Sequence, residues 1–385
     1  MQTIQQQFQV EYSYSIHFTR DLFSPANTTL SQFLQSFHAV GFQRKALFVL
    51  DEGMLLHFPK LTETIRAYFQ TNVPSVLLSQ TILVIPGGEA AKNDPVLFES
   101  IVQAIDDQGI DRHSLVVAIG GGAVLDLVGY AAAVSHRGIR HIRIPTTVLS
   151  QNDSGVGVKN GINYQGKKNF LGTFAPPVAV FNDSSFLTTL DDRDWRSGIS
   201  EAIKVALIKD KAFFEWIEEH AVALSQRSMS EMDYLIHRCA YLHTEHIRSG
   251  DPFEFGSSRP LDFGHWAAHK LEYLTNFEVR HGEAVAIGIA LDSVYSFKNG
   301  LLEETALNRI LSVFEVLGFE LYHPMLAEND NINLRNGLNE FREHLGGRLT
   351  IMLLDQIGHG LEVHEMDADL IAESVNFLEN RNISV

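Results

Sequence analysis

The sequence predicts an α/β fold with two domains, and three observations lead to it. In the first half, short apolar runs alternate with stretches of helical spacing, which is typical of a doubly wound sheet with helices on both faces. After about residue 191, helical spacing dominates. The chain has 385 residues, more than one core usually holds. We therefore expect an α/β domain over residues 1–190 and an α-helical domain over residues 191–385.

Strands and one clear helix are predicted in the first half. Alternating polar and apolar residues over 8–18 indicate the first strand, and compact apolar runs indicate the later ones. These runs cover residues 45–50, 81–85, 115–119, 142–144 and 178–181. Residues 95–108 have helical spacing, with Asp94 suited to the N-cap and Pro95 to the first helical position.

The second half consists mainly of predicted helices. Apolar residues recur there at intervals of three and four, which is the spacing of one helix face. The predicted helices cover residues 195–208, 211–225, 230–248, 264–274, 282–298 and 303–316. No internal repeat or low-complexity tract interrupts this pattern, so the boundary near 190 is a change of periodicity rather than a linker.

Composition excludes several classes of protein. The net charge is −17 and no basic stripe offsets it, which argues against a nucleic-acid partner. The single cysteine, Cys239, excludes an intramolecular disulfide and fits a reducing cytosol. Residues 1–25 lack the hydrophobic core of a signal peptide. The apolar stretch 114–134 contains three consecutive glycines and Asp126, so we predict a buried strand, turn and helix rather than a membrane span. A cytoplasmic protein is expected.

A glycine-rich turn, Gly120 to Gly122, joins a predicted strand to a helix. Glycines allow the backbone to approach a pyrophosphate, and the helix N-terminus supplies N–H donors. Because the spacing is not G-x-G-x-x-G, a tight turn without a ligand remains an alternative. Asp51, at the end of an earlier strand, could accept a hydrogen bond from a ribose hydroxyl, and the 86–92 segment could add a further contact.

Three distant segments each contain a residue able to bind a metal. Glu201, His265 and His281 would form a Glu/His/His set, which leaves coordination positions open for a substrate. His265 and His269 lie four residues apart, on one helix face, a spacing that by itself is more often structural. His243 and His246 form a competing pair, but no acidic motif supports it, and we predict a solvated helix face there.

Anion-binding side chains are concentrated between residues 137 and 169. They are Arg137, Lys159, Lys168 and Asn169. In an acidic protein such a group suits a phosphate ester. The alternative is an ordinary exposed, charged loop.

Taken together and in chain order, these motifs resemble the dehydroquinate synthase family of sugar phosphate cyclases. The motifs are Gly-Gly-Gly-x-x-x-Asp, His-Arg-Gly, Pro-Thr-Thr, Asp-Ser-x-x-Gly-x-Lys, Lys-Asn, Glu-x-x-Lys, Gly-His-x-x-x-His and His-Gly-Glu-Ala-Val, between about residues 45 and 290. The resemblance implies a Rossmann-like NAD-binding domain, a helical metal-binding domain, a cleft between them and a homodimer. It also implies a lyase, in which NAD is reduced and regenerated while phosphate is eliminated and a carbocycle closes.

The resemblance assigns roles to individual residues. The ligands of Zn²⁺ (or Co²⁺) are Glu201, His265 and His281. The catalytic group comprises Lys159, Lys204, His269 and Asp153. The substrate is bound by Arg137, Asn169, Asp262 and Arg259. The residues that meet NAD are Asp51, Glu89, Lys92, Gly121, Gly122, Asp126, Thr146, Thr147, Lys168, Phe186 and Thr189.

Departures from the family pattern bear on the substrate. Counted back from His265, a family Lys, Arg and Asn fall on Thr244, Ser258 and Asp262. The loss of these cations and the gain of the Asp262 carboxylate would weaken the binding of a substrate carboxylate by on the order of 1 kcal/mol or more. Arg259 could compensate for Ser258.

We therefore predict a non-carboxylated sugar phosphate substrate such as sedoheptulose 7-phosphate. The chain resembles the 2-epi-5-epi-valiolone synthases and a dehydroquinate-synthase-like branch found in ebo-type bacterial gene clusters. A 3-dehydroquinate synthase proper is the first alternative, a polyol or glycerol-phosphate dehydrogenase the second, and a binding protein that retains the fold the third. No nucleic acid or membrane is expected as a partner.

Overall fold

The chain forms two compact units. The structure is a computed structural model, and it describes residues 3–36, 43–165, 167–249, 251–253, 260–328, 331–344 and 347–383. The first unit comprises Met1–Thr146 and Gly157–Ser185, and the second comprises Thr147–Val156 and Phe186–Val385. One boundary is predicted after residue 190, whereas the short segment 147–156 belongs to the second unit.

The first unit contains nine strands and five helices in its described residues. The strands are β1 (Ser15–Thr19), β2 (Arg44–Asp51), β3 (Val76–Leu78), β4 (Leu83–Ile85), β5 (Leu115–Gly120), β6 (Arg140–Pro145), β7 (Lys159–Tyr164), β8 (Lys167–Phe174) and β9 (Ala179–Asp183). The helices are α1 (Thr29–Ser36), α2 (Gly53–His57), α3 (Leu61–Asn72), α4 (Pro95–Asp107) and α5 (Gly122–Val134).

Seven of these strands form one parallel sheet. Its order is β1-β9-β6-β5-β2-β3, with β4 also paired to β2. All six residues of β5 are buried, which explains why its sequence is a continuous apolar run. The chain leaves β2 towards β3 and β4, and then returns to β5 on the other side of β2. Ligands bind at such a reversal, beyond the carboxyl ends of the strands. Asp51 and Gly120 end the two strands that flank it.

Local signals around α4 and α5 act as predicted. The carboxylate of Asp94 accepts a hydrogen bond from the backbone N–H of Val96 at 2.9 Å, and Pro95 occupies the first turn of α4. The apolar 114–134 stretch forms β5, the glycine turn and α5. Within the described residues, no helix is long and apolar enough to cross a membrane.

One strand prediction in the first unit was wrong in its extent, and one hairpin was not predicted. The strand predicted over 8–18 begins only at Ser15, and Phe8 is 86% exposed. Alternation alone does not form a strand, since a strand also needs a hydrogen-bonded neighbour. The antiparallel hairpin of β7 and β8 was not predicted. Most side chains of β8 are exposed or half-buried, so it lacks the apolar run that marked the other strands.

The second unit is mainly helical. Its helices are α6 (Asp192–Lys209), α7 (Lys211–Ser225), α8 (Met229–Ser249), α9 (His265–Leu274), α10 (His281–Lys298), α11 (Glu304–Val316), α12 (Ile332–His344) and α13 (Ala368–Ile383). The hairpin of β10 (Ile351–Gln356) and β11 (His359–Val363) completes it. The six helices predicted in this half are confirmed to within a few residues at each end, whereas α12, α13 and the hairpin were not predicted.

Helix α10 lies at the centre of this unit and approaches α6 and α9 through glycines. Residues 284–296 of α10 are all buried. A Cβ on Gly282 would lie 2.1 Å from the carbonyl oxygen of Ser197 in α6, and one on Gly288 would lie 2.0 Å from that of Gly264 before α9. Gly264 itself has φ +77°, which favours glycine. These close approaches bring three helices together beside the predicted metal ligands.

Candidate active site

The three predicted metal ligands meet in the second unit. Glu201 lies on α6 and is fully buried, whereas His265 and His281 are the first residues of α9 and α10. The Nε2 atoms of His265 and His281 lie 3.4 Å and 3.3 Å from Oε1 of Glu201. Ligands at about 2.0–2.1 Å from a tetrahedral metal are about 3.4 Å apart. The donor set and its spacing therefore fit a divalent metal such as zinc.

The histidine rings are held with Nε2 directed at this position. Nδ1 of His265 lies 3.1 Å from the carbonyl oxygen of Phe263, and Nδ1 of His281 lies 3.1 Å from Oε2 of Glu272. Because both partners can only accept, each ring carries its hydrogen on Nδ1 and keeps the Nε2 lone pair for a metal. Sequence reasoning missed Glu272, although it lies seven residues after His265 on the same face of α9.

We expect Glu272→Ala to weaken metal binding about 10- to 100-fold, because the orientation and basicity of His281 depend on this carboxylate. Competition with a chromogenic chelator measures the affinity. Glu278→Ala removes an exposed carboxylate near the same ligand and should leave the affinity unchanged. Equal affinities for the two variants would show that Glu272 does not support the ligand.

A buried lysine shares the site with Glu201. Lys204 lies one turn further along α6, forms an ion pair with Oε2 of Glu201 and is 2% exposed. Neither oxygen of Glu201 has a hydrogen bond of ordinary geometry from the described residues, as expected of oxygens available to a cation.

The charged states of this pair follow from their surroundings. Burial by itself would raise the pKa of Glu201, but Lys204 and His265 bring it well below its ordinary value. Burial would lower the pKa of Lys204, but Glu201, Asp153 and Asp262 raise it. The carboxylate and the ammonium group are therefore both charged at neutral pH.

Asp153 reaches this cluster because the 147–156 segment belongs to the helical unit. The side chain of Asn152 donates a hydrogen bond to the carbonyl oxygen of Gly198 at 2.6 Å. A Cβ on Gly198 would lie 2.4 Å from the backbone nitrogen of Leu149, so the close packing of this segment on α6 requires glycine. Burial tends to raise the pKa of Asp153, but Lys204 and His243 together leave the pKa below its ordinary value.

His243 corrects a prediction. The 243–246 pair was expected on a solvated helix face, but the side chain of His243 is only 15% exposed, and its Nδ1 lies 2.8 Å from Oδ1 of Asp153. The signal was present, since His243 extends the inward stripe of α8 by one turn beyond Cys239. His246 faces elsewhere and contacts Nζ of Lys209 at 2.8 Å.

The other predicted residues of this unit occupy distinct positions. His269 is exposed, and its ring stacks against that of His281 with 6.0 Å between centroids. Asp262 is half-buried and helps to raise the pKa of Lys204. Thr244 donates its hydroxyl hydrogen to the main chain of its own helix, with the carbonyl oxygen of Ala240 at 2.8 Å. Ser258 and Arg259 lie outside the described residues.

A buried carboxyl supports the start of α9. Asp292 of α10 accepts hydrogen bonds from the backbone N–H of Gly264 at 3.0 Å and from Nε1 of Trp266 at 2.9 Å, on either side of His265. Burial raises the pKa of Asp292 to about 7, although both donors act to lower it. No sequence pattern marks this group beyond an acidic residue in an apolar run.

Asp292 should make stability depend on pH. Between its ordinary pKa of 3.8 and about 7, the native protein binds a proton that the unfolded chain has released, so the free energy of unfolding falls as pH rises through this window. Between about pH 5 and pH 8, Asp292→Asn should remove a change on the order of 3 kcal/mol. Urea unfolding of both proteins at about pH 5 and about pH 8 measures it. Parallel pH dependences would contradict the assignment.

In the first unit, the predicted dinucleotide residues surround the ends of β2 and β5. Oδ1 of Asp51 accepts a hydrogen bond from the backbone N–H of Gly53 at 2.9 Å, and burial raises the pKa of this carboxyl. A Cβ on Gly87 would lie 2.3 Å from Oδ2 of Asp51. The turn at Gly121 and Gly122 begins α5, whose N–H groups can receive a phosphate.

A polar cluster around the buried Lys92 lies beside this turn. Nζ of Lys92 donates to Oδ2 of Asp126 at 3.0 Å, contacts Oδ1 of Asn169, and lies 3.7 Å from Glu89. Burial would lower the pKa of Lys92, but Asp126 and Glu89 raise it. Asn163, which sequence reasoning missed, donates to Glu89 at 2.9 Å. Lys92, predicted for the NAD site, therefore contacts Asn169, which is predicted for the substrate pocket.

The remaining predicted residues divide between the units. The first unit contains Arg137, Thr146, Lys159 and Lys168, and the second contains Thr147, Phe186 and Thr189. Arg137 lies on an exposed turn, Lys159 is exposed at the start of β7, and Lys168 is half-buried on β8. Their roles stay predictions.

Comparison with known proteins identifies the family. Residues 82–197 match the profile described as 3-dehydroquinate synthase N-terminal, and residues 198–336 match 3-dehydroquinate synthase C-terminal. The chain belongs to the 3-dehydroquinate synthase family. It is accordingly an enzyme, a sugar phosphate cyclase within the carbon–oxygen lyases, and the predicted resemblance and enzyme class are confirmed.

Members of the family with different activities are similar to this chain. A 3-dehydroquinate synthase of Halorhodospira halophila is 31% identical over 337 residues, which is 85% of this chain and 93% of the relative. A 2-epi-5-epi-valiolone synthase of Streptomyces hygroscopicus subsp. jinggangensis is 31% identical over 385 residues, covering 97% of this chain and 88% of the relative.

Solved structures confirm the predicted fold class. A structure of the 2-epi-5-epi-valiolone synthase from that Streptomyces strain, with NAD⁺ and Zn²⁺ bound, matches with a TM-score of 0.87 and 30% identity over 98% of this chain and 100% of the other. A 2-deoxy-scyllo-inosose synthase structure matches with a TM-score of 0.74 at 21% identity over 94% of this chain and 95% of the other, which shows the fold alone.

Proposed function

We propose that this protein is an NAD- and divalent-metal-dependent cyclase that acts on a non-carboxylated sugar phosphate, of which sedoheptulose 7-phosphate is the leading candidate. The observation that carries the proposal is the position of Asp262, whose carboxylate acts on Lys204 in the same cluster as Glu201 and Asp153. A homodimer and a cytoplasmic location, which the resemblance implies, remain predictions.

The residues present fit both cofactors. Glu201, His265 and His281 would hold Zn²⁺ or Co²⁺, and the turn at Gly120–Gly122 with Asp51 would hold NAD. The relative solved with NAD⁺ and Zn²⁺ supports this assignment. When bound, the metal would supply Lewis acidity to a substrate oxygen, and NAD a reversible hydride exchange. Lys204 and Asp153 would be placed to form hydrogen bonds with hydroxyl groups of the substrate.

The charge balance of the cluster favours a neutral substrate group. Glu201, Asp153 and Asp262 contribute three negative charges and Lys204 one positive charge, which leaves two negative charges. A divalent metal neutralises these two charges, so no positive excess remains among the described residues of the cluster for a substrate carboxylate. Such a carboxylate would face Asp262 at a cost on the order of 1 kcal/mol or more. Sugar hydroxyls can instead donate hydrogen bonds to Asp262.

Thr244 adds to this argument. It stands where the resemblance places a lysine, and its hydroxyl is hydrogen-bonded to the main chain of α8. It therefore brings no charge to the cluster. The first alternative is 3-dehydroquinate synthase proper, which the similarity to named 3-dehydroquinate synthases favours.

The proposal is tested by phosphate release from the purified protein with NAD and Zn²⁺ or Co²⁺. Sedoheptulose 7-phosphate and 3-deoxy-arabino-heptulosonate 7-phosphate are offered in parallel, and the products are identified by mass. We expect turnover of the heptulose phosphate with no accumulation of NADH. Efficient turnover of the carboxylated substrate would instead establish 3-dehydroquinate synthase, and net NADH formation without phosphate release would indicate a dehydrogenase.

A further inference from the structure

We propose that His243 and Asp153 act as a pair that orients a hydroxyl group of the substrate, with Asp153 holding the imidazole and Nε2 of His243 accepting the hydroxyl hydrogen. The pairing is a property of the chain, whereas the hydroxyl as its ligand rests on the proposed function. Nothing in the sequence motifs assigned a role to His243.

The position of His243 follows from the inward stripe of α8. Met232, Leu235, Ile236, Cys239 and Ala240 are the buried members of this stripe. His243 follows Cys239 by four residues, so it lies on the same face one turn later. Its side chain is 15% exposed and that of Asp153 is 18% exposed. The pair is therefore partly accessible to a ligand.

The pairing fixes which ring nitrogen carries hydrogen. Nδ1 of His243 lies 2.8 Å from Oδ1 of Asp153, too close for two acceptor atoms without a hydrogen between them, although the contact lacks the geometry of an ordinary hydrogen bond. An ionised carboxylate only accepts, so Nδ1 is the donor. The neutral ring then keeps a lone pair on Nε2, which can accept a hydrogen bond.

The surroundings favour a hydroxyl as the partner of Nε2. Asp153 also interacts with Lys204, which pairs with the metal ligand Glu201, so the pair belongs to the cluster that includes Asp262. A neutral imidazole offers an acceptor and no positive charge. It therefore suits a hydroxyl, which donates, better than a carboxylate or a phosphate, which need donors or cations.

The pairing is tested without turnover, by NMR of protein labelled with ¹⁵N in its histidine rings. The chain has 17 histidines, and the His243 signals are identified as those that His243→Asn removes. We expect hydrogen on Nδ1 and an unprotonated Nε2, whose resonance shifts when sedoheptulose 7-phosphate is added. A ring with hydrogen on Nε2, or an Nε2 resonance that the sugar phosphate leaves unchanged, overturns the inference.

Two variants of His243 distinguish a contact with a substrate hydroxyl from a role in holding Asp153. His243→Asn retains an N–H donor near the position of Nδ1 and removes Nε2, whereas His243→Ala removes both. Loss of one hydrogen bond lowers kcat/KM by about tenfold, so we expect both variants to fall by this factor, chiefly through a higher KM. His246→Asn, on the same helix but paired with Lys209, should behave like the wild type.

The outcomes are distinguishable. If His243→Asn retains wild-type kcat/KM while His243→Ala loses it, the histidine only supports Asp153 and the inference is wrong. Metal content and thermal unfolding of each variant show whether a loss comes from the site or from folding. If the wild type turns over neither sugar phosphate, the proposed function fails, and the NMR titration alone decides the inference about His243.

Discussion

His265→Ala is expected to abolish metal binding and turnover together. His265 provides one of only two imidazoles in the Glu/His/His set, and Nε2 is held towards Glu201 by the contact of Nδ1 with Phe263. Truncation leaves two protein ligands, too few for a catalytic site of this kind. Metal content after dialysis measures the first loss, and phosphate release measures the second.

His269→Ala is the matched control for this prediction. His269 lies on the same helix, but it is exposed, and its ring stacks on that of His281. We expect its replacement to leave the metal content at the wild-type level while turnover falls, because the predicted role of His269 is catalytic. Stoichiometric metal in the His265→Ala protein would remove His265 from the ligand set.

Lys204→Met is expected to destabilise the metal-free protein by about 3–5 kcal/mol, because removing one partner of a buried ion pair leaves an uncompensated charge. Glu201, Asp153 and Asp262 would then face one another without a cation, and all three act on Lys204 in the native protein. Added Zn²⁺ should restore part of the loss, since the metal replaces the missing positive charge. Urea unfolding with a chelator and with Zn²⁺ measures both effects.

Lys209→Met provides the comparison on the same helix. Lys209 is exposed and contacts His246, and such surface interactions contribute less than about 1 kcal/mol. Equal losses of stability for the two lysine variants would show that Lys204 does not compensate buried carboxylates.

The sequence predicted the parts of the site that depend on local pattern. The strand, glycine turn and helix over 115–134 combine an apolar run, three glycines and a helical stretch, and each is visible in a short window. Glu201, His265 and His281 could be predicted because each lies in a motif that the family resemblance covers. Their meeting point depends on Gly282 and Gly288, whose close packing no local pattern reveals.

Contacts between distant elements explain what was missed. Glu272 becomes a support only once α10 brings His281 to it, and Asp292 matters only because α9 begins beside it. His243 was placed in solvent because its partner, Asp153, lies 90 residues away in a segment that precedes a hairpin of the other unit. The four-residue spacing from Cys239 along the helix predicts that His243 faces inward. The prediction that it is exposed rested instead on the lack of a nearby acidic motif.

The central claim is that Asp262 disfavours a substrate carboxylate, and Asp262→Asn tests it most directly. The substitution keeps the shape and a hydrogen-bond acceptor but removes the charge. The measurement is the ratio of kcat/KM for the heptulose phosphate to that for the carboxylated substrate, before and after substitution. We predict that the ratio falls about fivefold or more, as expected for relief of about 1 kcal/mol of repulsion. An unchanged ratio would contradict the claim and assign substrate choice to other residues.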